Sequence, residues 1–236
     1  MIVNKRNKME LTPEQIHENW DKLLGIIDKY IASPRKEQLK ALYEKYEDRL
    51  ATMPASGREA FHSCFVGGYV DHILNVIECG LKTAKMWEFF GAKKDWTDEE
   101  LVFSLMNHDF GKVGDDDGEY YIPNESEWHR KNLGIMYKSN PAIHNMTVPD
   151  RGLFLMQENG IAVSKNEYLS IKLHDGLYDD INKPYLLSFD DDKKLKTNLP
   201  FIVHQADFLA YRIEYEKWKE ISTNKISGIK KSIANL

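Results

Sequence analysis

An all-α fold is the class that the sequence predicts, from two kinds of observation. In the stretches 68–90, 101–112 and 200–218, apolar residues recur every three or four positions, which is the spacing that places side chains on one face of a helix. In addition, Thr12 and Thr97 each stand three positions before a glutamine or a glutamate, the pattern of a capped helix start. We therefore expect a helical bundle whose apolar faces pack against one another.

The N-terminal part of the chain predicts a pair of helices. Thr12 is followed by Pro13, and proline is favoured at the first helical position. Ser33 and Pro34 then start a second helix. We expect residues 1–60 to form an N-terminal helical extension packed on the core, with its charged side chains in solvent. A lid or a contact between copies of the chain is the alternative role for this pair.

The core domain is predicted to span residues 61–220. Further helices begin at Ser126, Pro149 and Ser164, and the last of these positions also fits a capping box. His62, just before the apolar stretch 68–90, is interpreted as a structural residue.

Two polar segments interrupt the predicted helices. Residues 113–125 are acidic, contain glycine and include Pro123, and so predict a long loop. We interpret the three consecutive aspartates at 115–117 as a solvated turn, with cation binding as the alternative. Residues 177–198 are also acidic and irregular and predict a second loop, after which the long final core helix begins. Residues 221–236 are expected to form a tail.

Composition limits the class of protein. The chain has 236 residues, of which 42% are hydrophobic and 29% charged, typical of a soluble globular domain. There is no long uncharged apolar run and no signal-peptide core near the start, so we expect a cytoplasmic protein with no membrane partner. Cys64 and Cys79 are expected to be reduced core residues. The net charge of −5 and the lack of a basic stripe argue against extended nucleic acid as a partner, but not against a small nucleotide.

A histidine and an aspartate end one of the apolar helices. Leu101, Leu105 and His108 lie at i, i+4 and i+7, so the imidazole shares the buried face of the leucines, and Asp109 follows at once. Burying a carboxylate beside an imidazole is costly unless a further group offsets the charge. A divalent cation bound by both side chains would do so.

Two other helices offer similar side chains. His72 lies in an apolar stripe with Tyr69 and Ile73, and Asp207 lies with small or apolar residues on the buried face of the last helix. One buried histidine alone is more often a hydrogen-bonded core residue than a ligand. Three helices that each point a histidine or an aspartate inward, however, predict a metal site inside the bundle.

These residues resemble the H…HD…D signature of the HD superfamily of metal-dependent phosphohydrolases. The resemblance includes Gly111 and Lys112 after the doublet, the GGYVDH sequence that ends at His72, and the HQAD sequence that ends at Asp207. It extends from about Phe61 to Trp218. It implies an HD-domain helical bundle and a metal-activated water that hydrolyses a phosphoester of a small phosphorylated substrate, with a nucleotide favoured.

The resemblance and the ligand chemistry together suggest roles for individual residues. Two imidazoles and two carboxylates suit manganese, iron, cobalt, nickel or zinc, with magnesium possible and a single ion favoured. Asp109 or Asp207 would orient or deprotonate water. Lys112 and His129 receive supporting catalytic roles only by resemblance. The remaining candidates for substrate contacts are Arg130, Lys131 and His174, with Arg58 as a further candidate for contact with an anionic substrate. The loop aromatics that could stack on a base are Tyr120, Tyr121, Trp128, Tyr178 and Tyr185.

Two other functions stay open at this stage. Dinuclear members of the superfamily carry additional histidines between the doublet and the last aspartate, and some are di-iron oxygenases. His129 and His174 lie in that interval as possible ligands of a second metal, although residues 148–152 lack the further histidine that such members have. The other alternative is a non-catalytic module that senses nucleotides.

Overall fold

The all-α prediction is confirmed. The computed structural model describes residues 10–61 and 63–233, with side chains as far as residue 223. No helix in this described part is both long and apolar enough to cross a membrane. Its α-helices are α1 (Pro13–Tyr30), α2 (Arg35–Lys45), α3 (Glu47–Thr52), α4 (Gly68–Phe89), α5 (Asp98–Asn107), α6 (Glu127–Leu133), α7 (Val148–Glu158), α8 (Lys165–Lys172), α9 (Lys183–Leu186) and α10 (Leu199–Ile233).

Three capping boxes begin helices where the sequence predicts them. The side chain of Thr12 accepts a hydrogen bond from the backbone of Gln15, whose side chain accepts one in return. The same reciprocal pair starts α5 at Thr97 and α8 at Ser164. Each box satisfies backbone N–H groups that the first turn of a helix leaves without a partner.

Helix α4 lies at the centre of the bundle, with α1, α5 and α10 packed around it. A side chain at Gly80 would lie 2.4 Å from Leu105, so the glycine lets α5 approach α4 closely. Ile73, Val76 and Leu105 are completely buried. The two helices that carry His72 and His108 therefore meet along a tightly packed apolar face.

The N-terminal helices belong to the same apolar core. Leu23 and Leu42 are fully buried in the cluster that includes the central helices. The hydroxyl of Tyr43 donates to the side chain of Asn107, the residue before His108. Arg35 forms ion pairs with Glu99 and Glu167, and so ties α2 to the N-terminal ends of α5 and α8.

The two predicted loops contain regular structure that sequence periodicity does not show. Strand β1 (Tyr121–Pro123) pairs antiparallel with β2 (Tyr137–Ser139) and forms a small hairpin. Residues 177–198 contain the end of a 3₁₀ helix, Gly176–Tyr178, then another, Asp180–Asn182, and the short helix α9. These elements are only three or four residues long, too short for a helical or alternating pattern to appear.

Two smaller expectations concern polar segments. The expected tail at residues 221–236 is helical as far as residue 233, because α10 continues through it. The three aspartates at 115–117 lie in a solvated turn, as expected, and the exposed carboxylate of Asp116 accepts a hydrogen bond from Tyr46 and pairs with Lys45. Asp115 and Gly118 do form a turn, closed by backbone hydrogen bonds between them.

Candidate metal centre

The side chains that the sequence singles out converge at one point in the bundle. Nε2 of His72 lies 3.2 Å from Oδ1 of Asp207 and 4.0 Å from Oδ2 of Asp109. Nε2 of His108 lies 3.4 Å from Oδ2 of Asp109 and 3.7 Å from Oδ1 of Asp207. His174, which follows α8, brings its Nε2 to 3.6 Å from the other oxygen of Asp109. We call these five residues the cluster.

His108 and His174 each use Nδ1 for a hydrogen bond to the backbone, so in both rings Nε2 is the nitrogen that faces the cluster. Nδ1 of His108 lies 2.8 Å from the carbonyl oxygen of Leu105, and Nδ1 of His174 lies 2.9 Å from that of Ile171. A carbonyl oxygen can only accept, so Nδ1 carries a proton in both rings. In a neutral ring, Nε2 then offers a lone pair to the cluster, as a metal ligand does.

His72 is oriented by a carboxylate that the sequence analysis missed. Both oxygens of Glu214 lie within 3.2 Å of Nδ1 of His72, and one accepts a hydrogen bond from Asn75 at 2.9 Å. Glu214 is buried, and it lies seven positions after Asp207. That spacing, two helical turns along the same face, is the signal that could have identified it.

The donor set fits a divalent cation. Nε2 of His108 is buried and makes no hydrogen bond to any described residue, which is costly for a polar atom unless another partner binds it. Ligand atoms of His72, His108 and Asp109 all lie within 4.8 Å of one another, and so do those of His108, His174 and Asp207. Imidazole nitrogens mixed with carboxylate oxygens suit zinc, iron, manganese, cobalt or nickel.

Charge interactions within the cluster shift its pKa values strongly. Burial lowers the pKa of a histidine, but the carboxylates of Glu214 and Asp207 outweigh it and raise the pKa of His72 to about 9. In the same way, Asp109 and Asp207 raise the pKa of His108 to about 10. Burial raises the pKa of Asp109, but the positive charges of Lys112 and His108 lower it by more, so this pKa lies well below its usual value. A bound divalent cation would replace the protons on His72 and His108 and would balance the charge of the carboxylates instead.

Lys112 lies at the edge of the cluster, as the sequence predicts. Its Nζ donates to Oδ2 of Asp109 at 2.5 Å and to the carbonyl oxygen of Ala55 at 2.8 Å. The 3₁₀ helix Phe110–Val113 packs against the start of α7, and a side chain at Gly111 would lie 2.0 Å from the carbonyl oxygen of Val148. The glycine therefore permits the close backbone contact that positions Asp109 and Lys112.

The α6 residues proposed from sequence stand apart. His129 and Lys131 are exposed on α6, Lys131 pairs with Glu127, and Arg130 donates to the carbonyl oxygen of Asn124. Among the described residues, no hydrogen bond, ion pair or ring contact joins these three side chains to the cluster. Their roles stay predictions that the geometry does not support. His62 lies outside the described residues.

Among the described residues, one cleft opens onto the cluster and a second lies beside it at Lys112, and both include Phe61. The first, of about 300 Å³, contains Asp207 and His174 and is otherwise rich in rings; we call it the aromatic cleft. Its residues are Phe61, His174, Asp175, Tyr178, His204, Asp207, Phe208 and Tyr211. The second, of about 400 Å³, contains Lys112, Arg58 and Lys138, and we call it the cationic cleft. The side chain of Asp207 is 22% exposed, so the cluster is accessible from the aromatic cleft.

No family model, no curated protein and no solved structure matches the chain. The function is therefore inferred from the geometry of the cluster and the two clefts.

Proposed function

We propose that the protein is a metal-dependent phosphohydrolase of a small phosphorylated substrate, with a nucleotide favoured. The observation that carries the proposal is the convergence of three imidazole Nε2 atoms and two carboxylates at an accessible point. A divalent ion bound there would lower the pKa of a water molecule and polarise a phosphoryl oxygen.

The residues around the cluster supply the other requirements of hydrolysis. Water attacks phosphorus, the bond from phosphorus to the leaving oxygen breaks, the attacking water loses a proton and the leaving oxygen gains one from solvent. Of the two carboxylates of the cluster, Asp207 is the one that lines the aromatic cleft, and we assign the acceptance of the water proton to it. We assign to Lys112, which pairs with Asp109 beside the cluster, the neutralisation of charge that develops on the phosphoryl group.

The aromatic cleft favours a substrate that carries a ring system. The rings of Tyr178 and Phe208 stack with centroids 6.4 Å apart, and Phe61 and Tyr211 line the same space. A flat base can stack on such side chains and bury apolar area. Tyr178 was among the predicted stacking residues, whereas Phe61, Phe208 and Tyr211 were not.

The test of this proposal is a nucleotide panel assayed with manganese, cobalt, nickel and magnesium after elemental analysis of the purified protein. His108→Ala and Asp207→Ala should each lose bound metal and lower kcat/KM by at least about 1,000-fold, because each removes a ligand from the cluster. His144→Ala is the matched control, since His144 is exposed on a loop and should leave both properties unchanged. Full activity in either cluster variant, with normal folding by circular dichroism, would contradict the proposal.

One observation keeps a second candidate function open. His174 forms a second group of ligand atoms with His108 and Asp207, which is compatible with two ions. Two iron ions and consumption of oxygen with an organic substrate would favour an oxygenase. His174→Ala separates these cases: loss of a second ion supports the dinuclear centre, whereas a raised KM with unchanged metal content supports a substrate contact.

A further inference from the structure

The cationic cleft gathers positive charge in a protein whose net charge is −5. Arg58, Lys112 and Lys138 line it, and the described residues around it include no acidic side chain. Four residues that carry hydroxyl groups, Tyr120, Tyr121, Tyr137 and Ser139, also line it. Lys112 is paired with Asp109, but Arg58 and Lys138 form no ion pair with a carboxylate of the described residues and so create a positive potential there. Hydroxyl groups can donate hydrogen bonds to an anion.

Backbone contacts fix the two walls of this cleft together. The carbonyl oxygen of Gly57 accepts hydrogen bonds from the backbone of Met136 at 2.9 Å and of Tyr137 at 3.1 Å. A side chain at Gly57 would lie 2.8 Å from the carbonyl oxygen of Tyr137, so only glycine allows this approach. Arg58, which comes before α4, and Lys138, on β2, are therefore held on one cleft by regular pairing.

Two of the three cations are available to a ligand. Lys112 is bound to Asp109 of the cluster. Arg58 and Lys138 form no ion pair with any carboxylate of the described residues, and the guanidinium of Arg58 lies 5.4 Å from the ring centre of Phe61. Because Phe61 also lines the aromatic cleft, the two clefts adjoin at this side chain. The aromatic cleft includes His174 and Asp207 of the cluster, and the cationic cleft includes Lys112, which is bound to Asp109 of the cluster.

We propose that the cationic cleft is a second anion-binding subsite, which holds a phosphate group of the substrate other than the one that is hydrolysed. This inference rests on the proposed function and narrows its substrate class. The substrate is then a nucleoside diphosphate or triphosphate rather than a monophosphate. Its base lies in the aromatic cleft, its reacting phosphate at the cluster and a further phosphate beside Arg58 and Lys138.

The first arm of the test compares the mono-, di- and triphosphates of one nucleoside with the manganese-loaded protein. The wild type should show the highest kcat/KM with the di- or triphosphate. Arg58→Gln and Lys138→Gln should each reduce the ratio of triphosphate to monophosphate kcat/KM by about tenfold, the effect of losing one charged hydrogen bond. Lys85→Gln, which removes an exposed lysine of α4 outside both clefts, should leave this ratio unchanged.

The second arm measures binding of inorganic triphosphate to the same proteins by calorimetry, without added metal and at constant ionic strength. The wild type and Lys85→Gln should bind with the same Kd, and Arg58→Gln and Lys138→Gln should bind about tenfold more weakly. Binding that depends on Arg58 and Lys138, with no hydrolysis of any phosphoester, would support the subsite and overturn the proposed function. Hydrolysis with unchanged substrate ratios and unchanged triphosphate binding in both variants would overturn the subsite alone.

Discussion

The cluster and the α6 region differ in how much the surrounding structure restrains their polar side chains. His72 and His108 are completely buried, and each Nδ1 is held by an acceptor from the protein, so the ring orientations are fixed before any ligand arrives. His129 and Lys131, by contrast, lie exposed on a two-turn helix. The position of a histidine or lysine near a motif therefore does not by itself identify a functional residue. Packing and hydrogen bonds must also restrain the side chain.

Among the substitutions that test the contrast between the cluster and α6, the largest effect is expected at Glu214. Glu214→Gln keeps the size of the side chain but removes the charge beside Nδ1 of His72, and so weakens the restraint on that ring and the basicity of its Nε2. Loss of such a partner typically costs 10- to 100-fold in metal affinity, and we expect a loss of about that size. Competition with a chelating dye measures it.

Glu216→Gln provides the control for this variant, because Glu216 is exposed on the same helix. Equal metal affinity in Glu214→Gln and in the control would mean that the carboxylate does not restrain His72.

A smaller effect, on stability, is expected where the backbone packs closely beside the cluster. Gly111→Ala places a methyl group against the carbonyl oxygen of Val148, a backbone atom that cannot rotate away. We expect the free energy of unfolding to fall by about 1–3 kcal/mol, as for other overpacked sites. Urea denaturation followed by circular dichroism measures the change.

Gly25→Ala is the matched control for this substitution. Gly25 lies within α1, and no atom of the described residues lies within 4 Å of the added methyl group, so alanine there should raise the free energy of unfolding by about 0.5–1 kcal/mol. A Gly111→Ala protein as stable as the wild type would show that the 3₁₀ helix and α7 can separate without cost.

The smallest effect is expected on α6. Lys131→Gln removes a side chain whose ion pair with Glu127 is on the surface, so stability should change by less than about 0.5 kcal/mol and kcat/KM should not change. Steady-state kinetics on the best nucleotide provides the measurement. A large rise in KM would show that Lys131 contacts the substrate, as the sequence predicted, and that the contrast drawn between the cluster and α6 is wrong.

The sequence predicted the parts of the molecule in which a local pattern determines the structure. The capping boxes at Thr12, Thr97 and Ser164 mark helix starts, and the placement of His72, His108 and Asp207 on apolar faces follows from helical spacing. The convergence of these faces was inferred because three helices each point a histidine or an aspartate inward, and the distances between the side chains agree with it.

The rest depends on contacts between segments that are distant in the chain. The hairpin forms because Tyr121 pairs with Ser139 and because Gly57 accepts from Tyr137, and no local pattern reports such pairs. The same backbone contacts bring Arg58 and Lys138 to one cleft, so the spacing of basic residues in the sequence could not predict the cationic cleft. Glu214 is a different case, since its position on the face of Asp207 was available in the sequence.

The most direct test of the central claim is the metal content of the cluster. Cobalt titrated into metal-free protein should bind at one equivalent, or at two if His174 completes a second site, and its visible spectrum should indicate mixed nitrogen and oxygen ligands. We predict that His108→Ala abolishes this binding while the helical content is kept. Wild-type protein that binds no cobalt, or a His108→Ala protein that binds it with wild-type affinity and spectrum, would contradict it.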